Sequence, residues 1–194
     1  MPVPTVSENG IEYYFPVQTD SLKEKPFVFQ EKKLIPDFNI LYSSVLKNMN
    51  EPNFLKKEDS GFHLRYTVLP AFDSPYSYRI QKKINNWVLH YKILEMDHEW
   101  NNFPYYGKDS LIKDTIISVS WHNFYQLEHK INLFDIEKRP THNEFGLDGE
   151  FHILEIYKDG KQEFIHRWSP RRENEAEFMD ICAMIEDIYI GKLE

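Results

Sequence analysis

The sequence predicts an α+β fold: an antiparallel sheet of about five or six strands with two or three helices packed mainly on one face. Three observations predict it. Residues 62–94 alternate apolar and polar in three successive runs, the signature of a meander. An Asp159-Gly160 pair sits between two β-favouring runs inside GLDGEFHILEIYKDGKQEFIHRWSP (146–170), and both turn residues tolerate positive φ. Two stretches, from Trp121 and after Asn174, switch to helical spacing. The 194 residues suit one well-packed domain. It reads as an N-terminal arm (1–36), a helix (37–50), a strand meander (62–94), a helix (120–134), a hairpin (150–168) and a C-terminal helix (174–190).

Each element has its own signal. The arm holds five prolines and little helical period, with short edge strands expected at 12–17 and 26–29. Asp37 is placed to cap a helix whose apolar face is Phe38, Leu41, Tyr42, Val45 and Met49; Asn50 and Pro52 end it. In the meander, Phe62, Leu64, Tyr66 and Val68 point one way and His63, Arg65 and Thr67 the other. Residues 76–81 return as a second strand, and Trp87, Leu89, Tyr91 and Ile93 share one face of a third. Residues 97–110 read as a long surface loop, and 112–119 either as a strand or as the lead-in to a helix. That helix carries Trp121, Phe124, Leu127, Ile131 and Phe134, with Ser118 or Ser120 as its cap.

A two-residue turn fixes the hairpin register. Lys158 then faces Lys161, Glu155 faces Phe164, Ile153 faces His166, His152 faces Arg167 and Phe151 faces Trp168. In the last helix Asn174 and Glu177 have capping-box spacing. Phe178, Ile181, Cys182, Ile185, Ile188 and Tyr189 form its stripe, and Gly191 stands where a C-terminal glycine belongs.

Composition bounds function by exclusion. With 23 basic and 31 acidic side chains the net charge is −8, which disfavours a nucleic-acid binder and suits solubility or a basic protein partner. The single cysteine, Cys182, excludes an internal disulfide and a multi-cysteine zinc site. No apolar run approaches membrane-spanning length, and the N-terminal MPVPTVSENG does not read as a secretory signal. A soluble, cytoplasmic protein without a cofactor is the expectation; the oligomeric state is open.

Three segments in this order resemble a family of uncharacterised bacterial proteins. They are FHLRYTVLPAFDSPYSYRI (62–80), the helix led by Trp121, and GLDG…E…DG…RWSP, here 146–149, Glu155, Asp159-Gly160 and 167–170 with the final helix behind it. The likeness spans 62–190, and His152 stands where the pattern has tryptophan. The resemblance implies the architecture and no activity.

Candidate chemistry concentrates on the hairpin. Glu155 and His166 share a face one diagonal step apart, and with Asp148 and Arg167 they make a carboxylate–imidazole site capable of general acid/base work. The competing reading holds Glu155 in an ion pair with Arg167, Arg65 or Arg79. His122, Gln126 and His129 could look out from one helix face, but no metal-ligand spacing accompanies them, and no metal is expected. Cys182 lies on an apolar stripe, and neither a serine elbow nor a phosphate-binding loop is present. The binding candidates are the loop aromatics Trp100, Phe103, Tyr105 and Tyr106 and the Arg167-Trp168 pair.

Two functional classes follow. The first is a non-catalytic binding or regulatory protein that engages a basic partner, as bacterial immunity proteins do. The second is a small hydrolase-type enzyme built on Asp148, Glu155, His166 and Arg167. A concave site holding at least two of those four side chains would mark the enzyme.

Overall fold

A computed structural model describes residues 12–14, 38–56, 61–84, 86–95, 110–134, 136 and 148–191. Six antiparallel strands form one sheet: β1 (His63–Pro70), β2 (Tyr76–Lys83), β3 (Asn86–Leu94), β4 (Leu111–Val119), β5 (Glu150–Lys158) and β6 (Lys161–Trp168). Their spatial order is β4-β3-β2-β1-β5-β6. The helices are α1 (Phe38–Asn48), α2 (Trp121–Leu133) and α3 (Arg172–Ile190). The first four strands follow one another as a meander. The chain then crosses the sheet through α2, and the β5–β6 hairpin adds to the free side of β1. Residues 112–119 thus belong to an edge strand.

Alternation sorts the side chains as expected. Leu64, Tyr66, Ile80, Leu89, Leu154 and Ile165 face α2 and α3, and with Phe124, Leu127, Phe178, Ile181 and Ile185 they make the main core. The other face is not bare. Tyr42, Val45 and Leu46 of α1, with Met49 just after it, pack there on Leu69, Leu94 and Ile153 in a second core. The result is three layers, with two helices on one face and one on the other.

Local chemistry sets the boundaries. Asp159 and Gly160 take φ of 53° and 77°, the pair of left-handed residues a two-residue hairpin turn requires. All the hairpin pairings read from the sequence occur, from Phe151 opposite Trp168 to Lys158 opposite Lys161. Ser120 caps α2, its side chain accepting from the Asn123 amide at 3.1 Å. Gly191 closes α3 with φ 71°. The start of α3 differs from expectation. Helical bonding begins at Arg172 behind Arg171 without a side-chain cap, and the first turn kinks at Glu175 (φ −132°, ψ 35°). The kink accompanies a contact across layers, since the Glu175 carboxylate receives Arg167 Nε at 2.9 Å. Among the described residues no helix is long and apolar enough to cross a membrane. Residues 97–109 of the loop expected at 97–110 and all of the arm except 12–14 lie outside the described residues.

Candidate functional site

The hairpin places the four proposed catalytic side chains by simple alternation, and it does not bring them together. Glu155 and His166 lie on the α1 face, Arg167 on the α3 face, and Asp148 is exposed just before β5.

Glu155 is enclosed, with no solvent exposure. It faces Arg65 across the β1–β5 ladder. Arg65 Nε donates to Glu155 Oε2 at 2.6 Å and Nη2 to Oε1 at 2.7 Å, a bidentate pair. Gln162 Nε2 donates to Oε1 at 2.8 Å, and the Tyr42 hydroxyl donates to Oε2. Arg65 spends its remaining fork on the Pro52 carbonyl at 2.8 Å and lies 4.3 Å over the Phe54 ring. Burial alone would lower the Arg65 pKa, but Glu155, Tyr42 and Glu51 together outweigh it and the pKa rises. Burial, followed by the Glu155 charge, raises Tyr42 well above an ordinary tyrosine.

A second carboxylate completes the network. Arg65 and Arg79 are cross-strand neighbours, a like-charge pair that would repel. Glu51, just beyond α1, bridges them: its carboxylate takes Arg79 Nε at 2.7 Å, Lys92 Nζ at 3.2 Å and Arg65 Nη1 at 3.7 Å. Burial pushes the Glu51 carboxyl up, yet Arg79, Arg65 and Lys92 together hold it below the ordinary value. Lys92 Nζ also donates to the Met49 and Asn50 carbonyls at 2.7 and 3.1 Å, where the end of α1 is electron-rich. These groups clamp α1 to the sheet. With every carboxylate oxygen engaged and both carboxylates buried, the arrangement holds a helix against the sheet.

The other predicted residues have structural surroundings too. His166 stands between Phe151 and Phe164, with ring centroids at 6.3 and 6.4 Å. Burial, and then the neighbouring Arg167 charge, lowers its pKa to about 4, so its imidazole is neutral near pH 7. Arg167 is buried between Glu175 and the His166 carbonyl, which accepts from Nη1 at 2.8 Å. Trp168 meets Phe151 edge-on at 4.6 Å on the α1 face, so it does not pack on α3. Arg167 and Trp168 therefore point to opposite faces and form no joint recognition patch. Trp100, Phe103, Tyr105 and Tyr106 lie outside the described residues.

Two arrangements escaped the sequence reading. The first is a polar chain beneath α3. The Tyr66 hydroxyl lies 2.7 Å from His152 Nδ1, and His152 Nε2 lies 2.7 Å from Glu150 Oε1. Burial raises the thiol pKa of Cys182, the Tyr66 neighbour on α3, so the thiol is inert. Glu150 borders an open hollow of about 530 Å³ formed by the 70–73 turn, Gly149 and Ser169; none of Asp148, Glu155, His166 and Arg167 lines it. Tyr66 and His152 sit on neighbouring strands far apart in sequence, and only the β1–β5 pairing brings them together.

The second is a solvent-facing stripe on α2. Phe124, Leu127 and Ile131 are buried, but Trp121 turns out to water at 64% exposure, followed one and three turns later by Tyr125 (58%) and Leu133 (71%). Trp121 thus leaves the core stripe to which its spacing assigned it. Trp121, Tyr125 and Leu133 at steps of four and eight, with His129 between the last two, were the available signal, a second and interrupted apolar row on an already amphipathic helix. Among the described residues no group of three metal-ligating side chains gathers.

Comparison with known protein families, curated proteins and solved structures finds no match for this chain. The pattern resemblance over 62–190 accordingly carries no functional assignment.

Proposed function

We propose that this chain is a non-catalytic binding protein whose partner is basic, the role that bacterial immunity proteins fill. The observation that carries the reading is the state of Glu155. The carboxylate best placed for acid/base work is consumed by Arg65, Tyr42 and Gln162 in a closed network. The net charge of −8 and the exposed aromatic residues on α2 supply the attraction and the contact surface that binding needs. A small hydrolase-type enzyme remains the second reading because one feature favours it: the Glu150–His152–Tyr66 chain beside the hollow has the carboxylate–imidazole–hydroxyl order of an acid/base relay.

One experiment separates them. Tagged protein is cross-linked in the native cell and its captured proteins are identified by mass spectrometry, while purified protein is assayed on ester and phosphate substrates. The binder reading expects a basic protein whose capture weakens with salt, and no turnover. Turnover abolished by His152→Gln, with no basic protein captured, would establish the enzyme instead.

A further inference from the structure

A helix on the surface of a sheet ordinarily shows water a polar face. The outer face of α2 instead mixes His122, Gln126, His129 and Asn132 with three large apolar side chains. Trp121, Tyr125 and Leu133, with His129 between the last two, follow the four-residue row that forms a ridge along a helix. Trp121 to Leu133 extends about 18 Å at the helical rise, enough to seat a partner helix of three turns or more. Large apolar residues exposed in a row, at 64%, 58% and 71%, mark an interaction surface more readily than scattered ones do.

The surroundings of the ridge set the charge of its occupant. Lys130 Nζ of α2 meets Asp180 Oδ2 of α3 at 2.8 Å, and the Phe134 and Phe178 rings meet at 6.4 Å, so α3 runs alongside. From Arg171 through α3 there are two basic side chains, Arg171 and Arg172, against six acidic ones. That net of −4 is half the −8 of the whole chain. Asp180 also takes Arg172 at 2.8 Å, so Lys130 and Arg172 are both drawn onto one carboxylate, while Lys158 Nζ donates to Asn132 Oδ1 at 3.3 Å beside the Leu133 end of the ridge. Glu173 and Glu177 are exposed to solvent on α3.

We propose that the Trp121–Tyr125–Leu133 ridge docks a basic amphipathic helix of a partner protein, its apolar row on the ridge and its lysines or arginines toward α3. This rests on the binding-protein reading above and names the face and the kind of element it takes. The apolar row supplies affinity by burying the rings. The acidic flank supplies orientation and rate, and it disfavours the two other occupants of such a ridge. A second copy would set one acidic α3 near another, and an anionic lipid surface would meet like charge.

The test uses the whole chain and a synthetic peptide of about 18 residues, leucine and lysine at helical spacing, with a leucine–glutamate peptide as control. Amide chemical-shift perturbation locates binding, and titration at rising salt gives its strength. The lysine peptide should perturb α2 and α3 and bind less tightly as salt rises, and the glutamate peptide should not bind. The Trp121→Ser/Leu133→Ser variant should lose about tenfold or more in affinity, while Ile84→Ser, at an exposed apolar residue elsewhere, changes nothing. All three substituted positions are exposed, so thermal melting should show both variants folded. Lysine-peptide binding that ignores the α2 substitutions would overturn the docking face and leave the binder reading standing. No lysine-peptide binding to the unaltered protein would overturn both. Dimerisation that the α2 variant abolishes would show the occupant to be a second copy and overturn the proposal.

Discussion

Gly149 shows how one position fixes the end of a sheet. A Cβ there would stand 2.2 Å from Ser169 Oγ and 2.8 Å from Trp168 Cζ2, closer than atoms can approach. Its carbonyl accepts the Ala71 amide at 2.8 Å, and the Ser169 amide donates to the Glu150 carbonyl at 2.8 Å. Ser169 itself has φ 40°, uncommon for a residue with a side chain. The glycine, the Trp168-Ser169 step and the turn after β1 therefore close on one another. Gly149→Ala must displace the indole or the strand end, so it should cost about 1–3 kcal/mol, as overpacking does, in urea unfolding. At this scale the sequence displayed both halves, GLDG and RWSP, without the reason for them. The reason is a contact between residues 20 positions apart, visible once β5 and β6 are paired.

At the scale of elements, the hairpin and the C-terminal helix were legible because their signals are local. A two-residue turn sets a register, and an apolar stripe sets a buried face. The seating of α1 was not legible. Its partners on the sheet come from β1, β2, β3 and β5, and no local rule pairs Glu51 with Arg79 and Lys92, or Tyr42 with Glu155. For the same reason three arginines were equal candidates for Glu155 until the β1–β5 ladder placed Arg65 beside it. The clamp predicts how the layer fails. Lys92→Met removes a buried cation from Glu51 and from the last carbonyls of α1, and should cost about 3 kcal/mol. In hydrogen exchange the α1 amides should lose protection while those of β1 and β5 keep theirs. Equal loss across the sheet would mean that Lys92 supports the whole core and not this one helix.

For the whole molecule, the three-layer arrangement buries titratable groups on the α1 side, and this gives stability a direction with pH. Burial is the first cause for both His90 and His166, with Arg79 and Arg167 respectively adding to it, and both pKa values fall to about 4 from an ordinary 6.5. The folded state therefore favours the neutral rings. Their contribution is complete above pH 6.5 and is lost progressively as pH falls from 6.5 toward 4. Glu51, held below its ordinary 4.5, adds stability that is lost only as pH falls further. The melting temperature should decline in two stages on acidification, and His166→Gln should flatten the first. A melting temperature constant from pH 6.5 to 4 would contradict the burial of both rings.

Across all three scales the charged side chains on the α1 face are spent on holding layers together. Glu155→Gln tests this most directly, because it preserves shape and removes the charge that answers Arg65. Leaving the buried arginine without its bidentate partner, and with only Glu51 at 3.7 Å to answer it, should cost about 3 kcal/mol in equilibrium urea unfolding. A variant as stable as the unaltered protein would contradict the clamp, and if it also lost a measurable hydrolytic turnover, Glu155 would be working as a catalyst.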